Sequence, residues 1–137
     1  MIKQATGEDA ARIIGINDDE LLKCFTGDRG EIIQFLVAAV DAENSNIKVW
    51  INDDNGKVNA YVVAINNCFK PIADYVFIPY AYSKAGHEVT ELLLGEVIKW
   101  GIELNARAVQ MVTAHKELFE KYGFKESNQI IMELTIG

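Results

Sequence analysis

The sequence predicts an α/β protein, and three features of its hydrophobic pattern carry that reading. Apolar residues recur at helical spacing between Ile32 and Val40, switch to two-residue alternation around an Asn-Gly pair, and return to helical spacing between Val89 and Leu104. The predicted order is β-α-α-β-β-β-α-β-α-β, in which the long helix joins two strands that should run parallel.

Ile2 to Ala5 reads as a short first strand. Thr6-x-x-Asp9 then begins like a helix cap, followed by Ala10-Ala11-Arg12-Ile13-Ile14 and a stop at Gly15. The cap signal recurs at Asn17-x-x-Glu20 before Leu21 to Phe25, and at Asp28-x-x-Glu31 before Ile32, Ile33, Leu36, Val37 and Val40, which share one helical face. Ile47 to Ile51 and Lys57 to Ile65 flank Asp53-Asp54-Asn55-Gly56, whose Asn-Gly pair supplies the two positive φ angles of a type I′ hairpin turn. With Asn55 and Gly56 as the loop, counting outward sets Trp50 opposite Tyr61, a favourable aromatic pair.

Tyr75 to Ile78 is a third strand of this group, stopped or distorted at Pro79 because proline removes a ladder donor. The longest helix, from about Val89 to Leu104, carries Leu93, Val97, Trp100 and Leu104 on one stripe. Ala108 to Val112 is a further strand, His115 to Tyr122 a short helix ended by Gly123, and Ile130 to Ile136 a final strand with alternating faces.

The 137 residues make one domain, 1–137, expected to bury roughly two thirds of the surface its unfolded chain exposes. Half the residues are apolar and 24% are charged, which excludes disordered, collagen-like and disulfide-scaffold classes. The net charge of −7 is a poor basis for binding nucleic acid and favours a cationic or amine-bearing partner. Cys24 and Cys68 stand 44 positions apart with no CxxC motif, so neither a metal site nor a disulfide framework is expected. No apolar run approaches the length of a membrane span and no signal-peptide core is present, so the expected compartment is the cytoplasm.

Three stretches carry a family resemblance: Asp53-Asp54-Asn55-Gly56-Lys57-Val58-Asn59-Ala60-Tyr61-Val62; Tyr75-Val76-Phe77-Ile78-Pro79 with the later Leu92-Leu93-Leu94 and Lys99-Trp100-Gly101; and Leu118-Phe119-Glu120-Lys121-Tyr122-Gly123-Phe124. Together they resemble the GNAT superfamily of acyl-CoA-dependent N-acyltransferases over nearly the whole chain. The first looks like that family's second and third strands, and the second like its fourth strand and central helix. The third is similar to its C-terminal signature, usually leucine-tyrosine-glutamate-lysine, one variable residue, then glycine-phenylalanine. The resemblance implies a mixed, mostly antiparallel sheet of about six or seven strands with helices on both faces. It further implies transfer of an acetyl or similar acyl group from acyl-CoA to a small-molecule or peptide amine by direct attack. Under it, Tyr75 to Ile78 should diverge from Ala108 to Val112, opening a slot for the pantetheine arm.

The family's cofactor pyrophosphate sits in a backbone nest at a helix N-terminus, where free amides and the helix dipole favour an anion. In this chain the corresponding residues are Lys84, Ala85, Gly86, His87, Glu88, Val89 and Thr90, and no register reproduces the usual Q/R-x-x-G-x-G/A. Aligned on Leu92 and Leu93, Lys84 stands for Gln or Arg, His87 for the first glycine and Val89 for the second. Aligned on Gly86, the mismatches are Ser83 and Glu88. Lys84 and a protonated His87 attract a phosphate, whereas Glu88 and Glu91 repel it. The same two acids also suit an ordinary helix start.

Phe119 stands where the family often has the tyrosine that protonates the leaving thiolate, so Tyr122, or a water, is the alternative acid. Asp74 is the candidate general base by analogy, with Glu31 and Asp28 as rivals. His115 stands where the family commonly contacts the cofactor arm, and the backbone amide near Phe77 or Ile78 is the candidate oxyanion donor. Two other readings stay open: a GNAT-like binding module without transfer activity, and a protein that self-associates, as a homodimer for example, through exposed strand edges.

Overall fold

The structure, a computed structural model, describes residues 1–14, 29–40, 46–113 and 116–137. The expected helix at Leu21 to Phe25, the stop at Gly15, Cys24, Asp28 and His115 lie outside these residues. In chain order the elements are β1 (Ile2–Gln4), α1 (Gly7–Ile14), α2 (Arg29–Ala39), β2 (Ile47–Asp54), β3 (Lys57–Asn67), β4 (Tyr75–Ser83), α3 (His87–Glu103), β5 (Ala108–Met111) and α4 (Lys116–Glu120). The strands form one sheet in the order β1-β2-β3-β4-β5. All neighbours are antiparallel except β4 and β5, which run parallel through the α3 crossover, as expected.

Alternation along the strands sends side chains to two cores. On one face Ile13 of α1 and Leu36 and Ala39 of α2 pack against Val49, Ile51, Tyr61 and Val63. On the other, Leu93, Leu94, Val97 and Trp100 of α3 pack against Trp50, Ala60, Val62, Val76 and Ile78. The α3 stripe is therefore the one read from the sequence, with Leu104 packed at its edge.

The hairpin turn also forms as predicted, with Asn55 at φ 52° and Gly56 at φ 89°. Its register differs from simple counting. Asp54 pairs with Lys57 and Asp53 with Val58, but Asn52 then pairs with Ala60, so Asn59 is an extra residue and Trp50 faces Val62 instead of Tyr61. The reason is a polar clasp: Asn52 Nδ2 donates to Asn59 Oδ1 at 2.8 Å, holding the bulge. A one-residue slip sends side chains to opposite faces. Trp50 accordingly packs on Trp100, ring centroids 6.0 Å apart, and Tyr61 on Tyr82 across the sheet neighbour, 6.2 Å apart.

Pro79 distorts β4 without ending it. Tyr80 pairs with Val63 and Phe77 with Ile65, so Ile78 and Pro79 together oppose Ala64 in a second bulge. The expected divergence of Tyr75 to Ile78 from the fifth strand does not occur, since these four residues pair with Ala108 to Met111 at every position. Pairing between the two strands ends at Ile78 and Met111, where β5 itself ends, and β4 continues from Pro79 to Ser83 beside β3.

The sheet has five strands among the described residues, fewer than the six or seven expected. Ile130 to Ile136 does not form the final strand, and residues 124–137 enter neither helix nor strand. An extended segment is held by its neighbours' ladder bonds, and among the described residues no strand pairs with it.

At the β1 end, α1 is tied to the hairpin by charge. Asp9, 2% exposed, accepts from the Thr6 N–H at 2.7 Å and the Thr6 hydroxyl at 3.0 Å, which ties the cap that the sequence suggests. Its other oxygen binds the Arg12 guanidinium, which also donates to Asp53 at 3.1 Å and to the Gly56 carbonyl at 3.0 Å. Burial alone would raise the Asp9 pKa, but the bonds from Thr6 and Arg12 and the nearby Lys3 outweigh it and hold it at about 2.

Two predictions follow from these contacts. Gly56→Ala forces a Cβ into a positive-φ position and should cost about 1 kcal/mol or more, lowering the melting midpoint; an unchanged midpoint would contradict the turn. Because the folded Asp9 pKa lies below its ordinary 3.8, its contribution is present above pH ~4 and lost as pH falls toward 2. That contribution is about 2 kcal/mol, so Asp9→Asn should flatten the stability loss across this window in urea titrations at stepped pH. A variant that loses stability as steeply as the parent would place the acid sensitivity elsewhere.

Candidate active site

The end of β4, paired with β3 and extending beyond β5, leads through a short loop into the N-terminus of α3. Lys84 is fixed at the base of the connecting loop, its N–H donating to the carbonyl of the bulged Asn59 at 2.9 Å. Ser83 folds the next residue back, its hydroxyl accepting from the Ala85 N–H at 3.1 Å and donating to the Ala85 carbonyl at 3.0 Å. Gly86 is the N-cap of α3, in extended conformation at φ −70° and ψ 178°, and no side chain caps it. Its carbonyl accepts from Val89 at 3.1 Å, closing the first helical turn.

The expected cofactor-loop residues are thus contiguous at this terminus, with the chemistry split by face. Ala85 and Val89 pack against the α3-side core, and Thr90 is half-buried. Lys84, Gly86, His87 and Glu88 are exposed. The charged groups therefore project into solvent around the helix start, one lysine and one histidine against Glu88 and the exposed Glu91.

α4 brings a second group of residues to the same place. Gly123, at φ 92°, ends it as the sequence predicts, and the Phe124 N–H donates to the Phe119 carbonyl at 3.2 Å. The reversal folds Phe119, Tyr122 and Phe124 into an aromatic group, with ring centroids 6.4 Å apart for Phe119 and Tyr122 and 5.9 Å for Phe119 and Phe124. Tyr122 and Phe124 pack against the α3-side core. The Tyr122 hydroxyl lies 2.7 Å from His87 Nδ1, joining α4's end to the first residue of α3. Neither residue alone signals this bond, since they stand 35 positions apart.

Asp74 is not brought into this group. It precedes β4, at the end of the strand away from α3's N-terminus, and its carboxylate accepts from Arg107 Nε at 3.1 Å. Its carbonyl accepts from the Arg107 N–H at 2.6 Å, so Asp74 and Arg107 clasp the starts of the paired β4 and β5. Glu31, the rival base, is exposed on α2. Phe77 and Ile78 sit between these two ends, at the last paired positions before Pro79, and Ile78 is buried. Among the described residues no cluster of His, Cys, Asp and Glu is arranged to hold a metal ion, and no helix is long and apolar enough to cross a membrane.

By sequence, no protein-family model and no curated protein matches the chain. Solved structures do resemble it along its whole length. An aminoglycoside acetyltransferase, AAC(6')-Iy, in complex with a bisubstrate analogue of CoA, is 15% identical, with 100% of this chain and 98% of that one covered and a TM-score of 0.77. A predicted acetyltransferase with acetyl-CoA from Clostridium acetobutylicum is 15% identical, covering 98% of this chain and 95% of that one at a TM-score of 0.75. An integron cassette protein from the mobile metagenome of V. cholerae is 13% identical, covering 100% and 92% at a TM-score of 0.75. Element order, the parallel β4–β5 pair and these likenesses agree: the chain has the fold of the GNAT acetyltransferases.

Proposed function

We propose that this protein transfers an acetyl or similar acyl group from acyl-CoA to the amine of a small molecule or peptide in the cytoplasm. The observation that carries the reading is the extension of β4 beyond its last pair with β5 at Ile78, leading to a helix N-terminus with no side-chain cap, within a fold whose solved examples include acetyltransferases bound to CoA or acetyl-CoA. In this reading the pyrophosphate rests on the backbone amides that open α3, with Lys84 supplying charge. His87, Glu88 and the loop residues Ala85, Gly86, Val89 and Thr90 frame it.

The pantetheine arm would then lie along Pro79 to Ser83, bringing the thioester toward Phe77 and Ile78. An amide there is the proposed donor to the carbonyl oxygen as it gains charge. The amine nitrogen forms its bond to the acyl carbon, the carbon–sulfur bond breaks, and CoA leaves as thiolate. The Tyr122 hydroxyl is held by His87 at the pyrophosphate end of the arm and Phe119 has no proton to give, so in this reading water protonates that sulfur. Asp74 receives no role in proton removal, because Arg107 holds it at the other end of β4; the proton lost by the amine passes to water.

A second reading is a binding module without transfer activity. Phe119, where active relatives often carry a hydroxyl, and the engagement of the Tyr122 hydroxyl by His87 favour it.

Calorimetric titration with acetyl-CoA tests the shared premise of a cofactor site, and absence of binding removes the acyltransferase. Lys84→Ala should weaken binding and Glu88→Gln tighten it, each by about threefold to tenfold at low salt, because both groups are exposed and screened. Negligible change in both variants would put the ligand elsewhere. Phe119→Tyr should leave affinity nearly unchanged and raise free-thiol release in the presence of an amine acceptor by up to roughly 10²-fold. Release that is absent in parent and variant alike, with acetyl-CoA still bound, selects the binding module.

A further inference from the structure

The tip of the β2–β3 hairpin carries a pair of groups that can react with each other. Of the asparagines in the chain, only Asn55 precedes a glycine. In such a pair the glycine's amide nitrogen can attack the asparagine's side-chain carbonyl carbon and close a succinimide ring, a step that a side chain on the second residue obstructs. Here nothing obstructs it. Asn55 and Gly56 are exposed, and a Cβ on Gly56 would meet no atom beyond its chain neighbours within 4 Å. The other two asparagines of the hairpin arms near the tip are tied up instead, since Asn52 is 8% exposed and its Nδ2 donates to Asn59 Oδ1 at 2.8 Å.

The attacking nitrogen is guarded by its own turn. The Gly56 N–H donates to Asp53 Oδ1 at 2.8 Å, while Arg12 donates to Asp53 Oδ2 at 3.1 Å and to the Gly56 carbonyl at 3.0 Å. Arg12 and the Gly56 N–H hold the Asp53 carboxyl below its ordinary range, so it is charged at neutral pH. The nitrogen becomes a nucleophile only as it loses its proton, and a carboxylate beside it both stabilises the N–H and repels the negative charge that follows. The guard lifts when the turn opens. An exposed two-residue loop is drawn from the least stable part of a fold, so opening there is more frequent than global unfolding.

We propose that Asn55 is a site of spontaneous deamidation, with the bond between the Gly56 N–H and Asp53 setting its rate in the folded protein. The Gly56 nitrogen bonds to Asn55 Cγ, the Cγ–Nδ2 bond breaks, and ammonia leaves with the proton from the Gly56 amide. Water then opens the succinimide at either carbonyl. One product is an aspartate at position 55, which sets a further carboxylate beside Asp53 and Asp54. The other is an isoaspartate, whose backbone runs through the side-chain carbon and is one bond longer. A type I′ turn of two residues has no place for that bond, so the contacts of Gly56 with Asp53 and Arg12 go with it. Those contacts tie α1 to the hairpin, and the hairpin's Asn59 carbonyl holds the Lys84 N–H at 2.9 Å. Deamidation at the tip therefore loosens the strand pair on which the loop before α3 is anchored.

Incubating the full chain at mildly alkaline pH, with and without concentrated urea, and following its tryptic peptides by mass spectrometry tests this. The peptide Val49 to Lys57 contains Asn52 and Asn55. The mass change from amide to acid should fall on Asn55, with the isoaspartyl and aspartyl forms eluting separately. It should be about tenfold slower in the folded chain than in urea, where the turn is open. Asp53→Ala should speed the reaction of the folded chain by about threefold to tenfold and leave the rate in urea nearly unchanged. The parent's far-ultraviolet circular dichroism, retained by the variant, separates a lost guard from lost folding. An Asn55 that stays intact in the folded parent, equal rates with and without urea, or modification at Asn52 in its place overturns the proposal. So does a folded Asp53→Ala chain that reacts no faster than the parent.

Discussion

One missing hydrogen-bond donor shapes the strand that leads into the candidate site. Pro79 sits inside a strand that has neighbours on both sides, and β3 and β5 respond differently. On the β3 side the ladder absorbs the proline as a bulge and resumes at Tyr80. On the β5 side pairing ends at Ile78 and Met111, where β5 itself ends, and the last five residues of β4 have β3 as their strand neighbour. The loop that follows takes its position from this extension of β4.

The opposite end of the sheet is held by different means. Asp9, Arg12 and Asp53 join the first helix to the hairpin, and the Asp53 carboxylate also accepts from the Gly56 N–H at 2.8 Å. Arg12 lowers the Asp53 pKa, so each group favours the charged form of its neighbour. Bonds among charges in a poorly solvated setting fix orientation more than they add net stability. Their effect is to pin the hairpin that, through Asn59, also anchors Lys84. The site at one end thus rests on contacts made at the other.

Much of this was legible in the sequence because it depends on near neighbours. The Asn-Gly turn, the Thr6 to Asp9 cap, the apolar stripe of α3 and the glycine that ends α4 are set within a few residues, and all four are present. What was not legible depends on partners far along the chain. No local signal marks Asn59 as an inserted residue; its bond to Asn52 does, and that bond moves Trp50 and Tyr61 to opposite faces. Nor does any local signal mark the ion pair of Asp74 with Arg107, 33 positions away. The final strand was read from a pattern that is present, but alternation specifies a face to be covered and not the body that covers it.

The slip at Asn59 has an optical consequence. The chain contains two tryptophans, and with this register Trp50 of β2 meets Trp100 of α3 at the junction of that helix with the sheet. Lys48 lies over the Trp100 ring at 5.3 Å. The whole indole signal of the protein therefore originates in one joint, with two coupled rings and a cation above one of them. Emission from this pair reports the docking of the helix whose first turn forms the candidate site and is blind to the far layer of α1 and α2. A single intrinsic chromophore pair makes the seating of that helix visible without a label.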